Sequence, residues 1–165
     1  HVGTTFYVEI PLDIDKNPQA RANTVESTLD CSLANMNVLL AEDNELNAEI
    51  AQALLESEGV VVPRAANGNE VVDLYLSHPA GSLDAILMDI MMPGMDGYEA
   101  TRAIRLSKKA DAADIPIIAL TANAFAEDAK AAHDAGMNAH LSKPLDFNKL
   151  KNILARIKKN GPVSL

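Results

Sequence analysis

The chain has 165 residues, 48% of them hydrophobic but only 4% aromatic and none Trp, and carries 14 Lys and Arg against 23 Asp and Glu, a net charge of −9. That length accommodates one full domain plus an appendage, and the acidic total argues against nucleic-acid binding, which needs a basic surface to neutralise phosphates. The lone Cys31 leaves no internal disulfide and no apolar run approaches the roughly 18 residues that span a bilayer, so a reducing, cytoplasmic setting without membrane contact is expected.

Taken in chain order, Thr5 to Ile10 alternates, with Phe6, Val8 and Ile10 on one side and Thr5, Tyr7 and Glu9 on the other, as in a single strand. Asp13 to Asn35 is polar and aperiodic, which predicts a linker. From Met36 onward short apolar runs alternate with amphipathic segments. Asn37 to Ala41 predicts a buried strand, and Asn44 to Glu58 a helix with Leu46, Ile50 and Leu54 on its apolar face and Glu45, Glu49, Gln52 and Glu56 on a solvated one. Gly59 stops that helix. Val60 to Ala65 reads as a second strand, placed at a sheet edge because Pro63 removes a ladder donor. Asn69 to Ser77 predicts a helix, Leu83 to Met88 a third strand, and Tyr98 to Ser107 a helix after the loop from Asp89 to Gly97. Ile115 to Leu120 is a fourth strand, Ala124 to Ala135 a helix, Ala139 to Ser142 a short fifth strand, and Phe147 to Lys158 a last helix with Phe147, Leu150, Leu154 and Ile157 on one face. Five βα units with right-handed crossovers give an open parallel sheet covered by helices on both faces.

Ligands bind such sheets outside the carboxyl ends of the strands. Those ends carry Glu42 and Asp43, then Asp89, Thr121 and Lys143. Three crowded carboxylates call for a cation, and hard oxygens with retained waters suit Mg²⁺; a lone Lys supplies a point charge for a phosphoryl oxygen and Thr a hydroxyl donor. Neutralising Asp43 or Asp89 is therefore expected to relieve repulsion and to stabilise the metal-free protein. Asp96 is read as a loop cap, and Met88, Met91, Met92 and Met95 as packing groups rather than a soft metal site. Charge is unevenly distributed: residues 1 to 35 sum to −3, residues 36 to 101 to −11 and residues 102 to 165 to +5.

The strings LLAEDN (39 to 44), LMDIMMPGMDGYEATRAIR (87 to 105), IIALTANA (117 to 124) and AGMNAHLSKPL (135 to 145) resemble, in order, the four signature segments of response-regulator receiver domains. The run AEDNELNAEIAQALLESEG, with Asn47, resembles receivers fused to hybrid sensor histidine kinases in particular. The resemblance implies a flavodoxin-like α/β fold, a doubly wound five-stranded parallel sheet of order 2-1-3-4-5 with five helices. It implies Asp89 as phosphoacceptor, attacking a phosphohistidine. Asp43, Asp89 and the main-chain carbonyl of Met91 would ligate Mg²⁺, with Glu42 on a metal-bound water. Lys143 would neutralise phosphoryl charge and Thr121 hydrogen-bond a phosphoryl oxygen after transfer. Pro93 and Gly97 match the loop after the acceptor, where Gly gives backbone freedom; the Lys143-Pro144 bond is cis in the family. His140 stands where the family often has a Tyr or Phe switch.

GTTFYVEIPL (3 to 12) resembles the closing strand of the kinase ATP-binding domain. The implied organisation is a strand remnant over 1–14, a linker over 15–35, a receiver over 36–160 and a tail over 161–165. The implied partners are a sensor histidine kinase as phosphodonor and a His-containing phosphotransfer protein as the next carrier. The domain's own chemistry would be confined to phosphorylation and dephosphorylation of its Asp, the parent being a histidine kinase. The alternative, motivated by the basic C-terminal third, is a binding module whose phosphorylation controls homodimerisation or masks the kinase without onward transfer. No GxxxxGK loop occurs, which argues against an autonomous ATPase.

Overall fold

The computed structural model describes residues 32–122 and 126–160. The expected strand over 5–10, the linker up to Cys31, the start of the fourth helix at Ala124 and the tail from Gly161 lie outside the described residues. Strands and helices alternate as β1 (Val38–Ala41), α1 (Glu45–Ser57), β2 (Arg64–Ala65), α2 (Gly68–Ser77), β3 (Ala85–Asp89), α3 (Gly97–Leu106), β4 (Ile117–Thr121), α4 (Ala126–Ala135), β5 (Ala139–Ser142) and α5 (Phe147–Asn160). Every ladder is parallel and the order is β2-β1-β3-β4-β5, the doubly wound, flavodoxin-like sheet expected.

The strands are apolar without a break because both sheet faces are covered. Val38, Leu40, Ala85, Leu87, Ile118 and Leu120 face α1 and α5, packing with Leu55, Leu150, Leu154 and Ile157. Their neighbours Leu39, Ile86, Met88, Ile117 and Ala119 point the other way, toward Val71, Tyr75, Ala100 and Ile104 of α2 and α3 and Ala132 of α4. Packing reaches back to Leu33, which is fully buried, and Lys158 ties this entry segment to α5 by donating to the carbonyls of Ser32 and Ala34 at 2.8 and 2.7 Å. Among the described residues no helix is long and apolar enough to cross a membrane.

Two elements differ from expectation. α1 turns Ala48, Ala51 and Leu55 inward and leaves Leu46 and Ile50 64% and 52% exposed, so the large-residue stripe is not its core face. Small alanines let the helix lie close to the sheet, and Leu55 is the large side chain of α1 that enters the core there. β2 is an edge strand, as Pro63 requires, but its regular part is only Arg64–Ala65, preceded by an isolated bridge from Asn37 to Val61. Pro63 has no N–H to donate, while its carbonyl still accepts from Leu40 at 2.9 Å.

Helix starts fix the loops that matter for function. Asn44, Asn67 and Asp96 cap α1, α2 and α3, each accepting the backbone N–H three residues on. Asp96 and Glu99 form a reciprocal capping box, the capping role expected of Asp96. Gly97 opens α3 where a Cβ would collide with the Asp89 carbonyl oxygen. Close approach of α3 to the end of β3, rather than backbone freedom, therefore accounts for glycine there.

Candidate functional site

Four polar or charged side chains are buried among the described residues: Glu42, Asp89, Thr101 and Thr121. Thr101 is satisfied locally, donating to the Gly97 carbonyl at 2.7 Å. The other three stand at the carboxyl ends of adjacent strands, Glu42 just after β1, Asp89 closing β3 and Thr121 closing β4. Lys143 follows β5, its backbone N–H donating to the Thr121 carbonyl at 2.7 Å. Topology thus gathers residues from four strand ends, as far apart in the chain as Glu42 and Lys143, on one edge of the sheet.

Two buried carboxylates side by side are costly unless a cation and hydrogen bonds accompany them. Lys143 meets that requirement: its Nζ lies 2.6 Å from Glu42 Oε2 and 2.7 Å from Asp89 Oδ2. The second oxygen of each acid is also engaged. Asp89 Oδ1 accepts the backbone N–H of Met91 at 3.1 Å, and Glu42 Oε1 accepts Nδ2 of Asn47 at 3.0 Å. Burial, reinforced by the Glu42 charge, raises the Asp89 carboxyl above the ordinary carboxylate value even with Lys143 and the Met91 N–H pulling it down. Burial pulls the Lys143 ammonium down, but its hydrogen bonds to Asp89 and Glu42 outweigh that and its pKa is raised.

Asp43 is exposed at the mouth of the cleft. One carboxylate oxygen each from Glu42, Asp43 and Asp89 lie within 4.8 Å of one another. Three hard oxygen donors and a single ammonium leave a surplus of negative charge, the donor set that an oxygen-loving divalent cation fits.

The remaining expected site residues are placed as follows. Met91 is 73% exposed, so it is not the packing group expected, and its backbone N–H donates to Asp89. Pro93 is exposed on the loop after β3, and the Lys143-Pro144 peptide is cis. His140 lies on β5 with its side chain exposed, beside a small hollow lined by Ala129, Ala132 and Met137, outside the acidic cleft. Met88 and Met92 are core, as expected. The contact of Asn47 with Glu42 was not anticipated; the available signal was an amide residue one turn into the helix that follows the acidic pair.

A doubly wound sheet whose strand ends present an acidic cleft with a bridging lysine defines a class of open α/β domains with a charged site outside the carboxyl ends of the strands, where ligands bind in this architecture. The comparisons narrow that class. The model of the response regulator receiver domain matches residues 38–155, and the chain belongs to that family. It is 37% identical over 146 residues to hybrid signal transduction histidine kinase L of Dictyostelium discoideum, covering 88% of this chain but only 8% of that protein. Among solved structures, the receiver domain of a Pseudomonas aeruginosa sensor histidine kinase with magnesium in its active-site cleft is 41% identical, with a TM-score of 0.66 over 74% of this chain and 97% of that one. The Saccharomyces cerevisiae Ssk1 receiver domain, solved with the phosphotransfer protein Ypd1, is 29% identical, with a TM-score of 0.65 over 74% and 88% of the two chains.

Proposed function

We propose that this domain accepts a phosphoryl group from a phosphohistidine onto Asp89 and relays it to a His-containing phosphotransfer protein, as one stage of a hybrid histidine kinase phosphorelay. The observation that carries the reading is the state of Asp89: a buried carboxylate at a strand end, with an ammonium on one oxygen and two further carboxylates beside it. An Asp89 oxygen forms the new bond to phosphorus while the P–N bond of the donor breaks. The bonding pair returns to the imidazole nitrogen, leaving neutral histidine and an aspartyl phosphate.

Lys143, already shared between two carboxylates, is placed to follow charge onto the phosphoryl oxygens, which is most of what a protein can offer a loose phosphoryl-transfer transition state. Mg²⁺ held by Asp43, Asp89 and the Met91 carbonyl, with Glu42 on its water, would add positive charge at the same oxygens. The Thr121 hydroxyl donates to a phosphoryl oxygen of the product, and His140, on the neighbouring strand at the position where the family often has a Tyr or Phe, puts a smaller polar ring at the switch and alters its coupling to that shift. Support for a phosphotransfer partner comes from α1. Its exposed Ile50 borders a cavity of about 210 Å³ that is also lined by Leu54 and Leu145 and reaches Glu42 and Lys143, and Leu46 is a further exposed apolar residue of the same helix. An apolar rim around a charged centre suits a docked helix carrying a histidine.

The test is a chase. Labelled domain, mixed with a phosphotransfer protein and Mg²⁺, is expected to lose its label to a histidine of that protein; retention of label, combined with dimerisation on adding beryllofluoride in a sizing experiment, would instead favour the non-relaying, dimerising module.

A further inference from the structure

Asn47 occupies the third position of α1, where its backbone N–H is used by the Asn44 cap and its side chain is left for another purpose. In a capping box a Glu or Gln here reaches back to the cap residue's N–H. Asn47 reaches back further, to Glu42, two residues ahead of the cap, and donates Nδ2 to Oε1 at 3.0 Å. Glu42 is a side chain only 3% exposed, and its other oxygen is taken by Lys143 at 2.6 Å. Asn47 and Lys143 thus hold opposite oxygens of one carboxylate and set its plane. The chemistry of an amide suits this place: a Glu would add a fourth negative charge to the cleft, and a Lys would compete with Lys143 for Glu42, whereas Asn supplies a donor without altering the charge.

We infer that Asn47 is a positioning residue for the phosphoryl site, orienting Glu42 so that Lys143 stays between Glu42 and Asp89 and the carboxylate oxygens remain gathered for a divalent cation. The inference rests on the Mg²⁺ reading of the cleft given above. Without the amide, Oε1 of Glu42 is a buried acceptor lacking its donor, and the carboxylate is free to rotate toward Lys143 and Asp89. Outer-shell groups contribute to metal affinity on the scale of about 10- to 100-fold, and Asn47, which acts through a carboxylate placed on a metal-bound water, belongs at the low end of that scale.

The test is a double-mutant cycle read by Mg²⁺ titration of the unphosphorylated domain, followed by amide NMR shifts. Asn47→Ala suits a helix and preserves the fold, which the same spectra report. It is expected to weaken Mg²⁺ binding about tenfold, and to have no further effect in a Glu42→Ala background. In wild type the Asn47 side-chain amide resonances are expected to move on Glu42→Ala. An unchanged Mg²⁺ affinity in Asn47→Ala, or an equal loss with and without Glu42, would overturn the positioning role while leaving the metal site standing. A wild-type domain that takes no Mg²⁺ would overturn both.

Discussion

Lys143 carries the electrostatic organisation of the cleft, joining Glu42 and Asp89 at hydrogen-bond distance while its own side chain keeps 25% exposure. Removing it leaves two buried carboxylates facing each other. Lys143→Ala is expected to destabilise the metal-free domain by about 2 kcal/mol, below the 3–5 kcal/mol of a fully buried pair because solvent reaches the ammonium; a denaturant titration measures it, and an unchanged midpoint would show that the pair contributes nothing. The same geometry separates two acids that sequence reasoning treated alike. Asp89 has a partner on each oxygen, whereas Asp43 is exposed and Lys143 bridges Glu42 and Asp89 instead. Asp43→Asn is therefore the substitution expected to raise the metal-free thermal midpoint, by roughly 1–2 °C for a gain of about 0.5 kcal/mol, with Asp89→Asn giving a smaller gain because Lys143 loses a partner. Glu42, Asp43, Asp89, Thr121 and Lys143 could all be placed at one edge of the sheet from the sequence, since strand ends are readable and the carboxyl-end rule brings them together. Asn47 could not, because its role depends on which way a helical side chain turns.

At the scale of elements, α1 shows where pattern reading fails. Leu46, Ile50 and Leu54 repeat at helical spacing and invite burial, yet the helix buries two alanines and Leu55. Hydrophobic periodicity locates a helix but ranks its faces by residue size, and close packing against a sheet favours the small side. Replacing Ile50 by Ser is expected to change stability by no more than about 0.5 kcal/mol while slowing transfer to the phosphotransfer protein, with labelling by a small phosphodonor unaffected; Leu55→Ala is expected to cost about 3 kcal/mol. Thermal melts beside transfer kinetics check both, and a slowed small-donor reaction in Ile50→Ser would place that residue in the chemistry instead of the docking surface. The edge position of β2 was readable from Pro63, but its shortness was not, because bridges around a proline depend on local backbone pairing.

A second polar network, at Tyr75, ties α2 to the loop before β4. The Tyr75 hydroxyl donates to Asp111 Oδ1 at 2.7 Å, Gly81 N–H donates to Oδ2 at 2.6 Å, and the Lys109 ammonium sits over the ring, 3.8 Å from its centroid, while donating to the Tyr75 carbonyl. Burial, with Asp111 alongside, pushes the Tyr75 hydroxyl well above its ordinary pKa. Burial tends to raise Asp111, but the Gly81 and Tyr75 hydrogen bonds prevail and its pKa is lowered. A depressed acid contributes stability above the unfolded carboxylate value, lost as pH falls through the folded one. A raised tyrosine contributes below its unfolded value, lost as pH rises past about 10. Tyr75→Phe is expected to cost about 1 kcal/mol between about pH 5 and 9, with the gap to wild type closing at both extremes; a gap independent of pH would contradict the network's titration.

Over the whole molecule, the uneven charge acquires a location. The −11 segment contains Glu42, Asp43 and Asp89 together with the carboxylates of α1, and the +5 segment brings Lys143 to the same cleft from the far side of the sheet. A cation and a phosphoryl group are the species such a juxtaposition suits, and the receiver family to which the chain belongs accounts for the order in which the residues occur along it. The central claim is that Asp89 is the phosphoacceptor. Incubation with Mg²⁺ and a phosphodonor, followed by borohydride reduction and peptide mass spectrometry, is expected to convert Asp89 alone to homoserine, with no product from Asp89→Asn. Conversion at another carboxylate, or an acyl phosphate that persists in Asp89→Asn, would contradict the account.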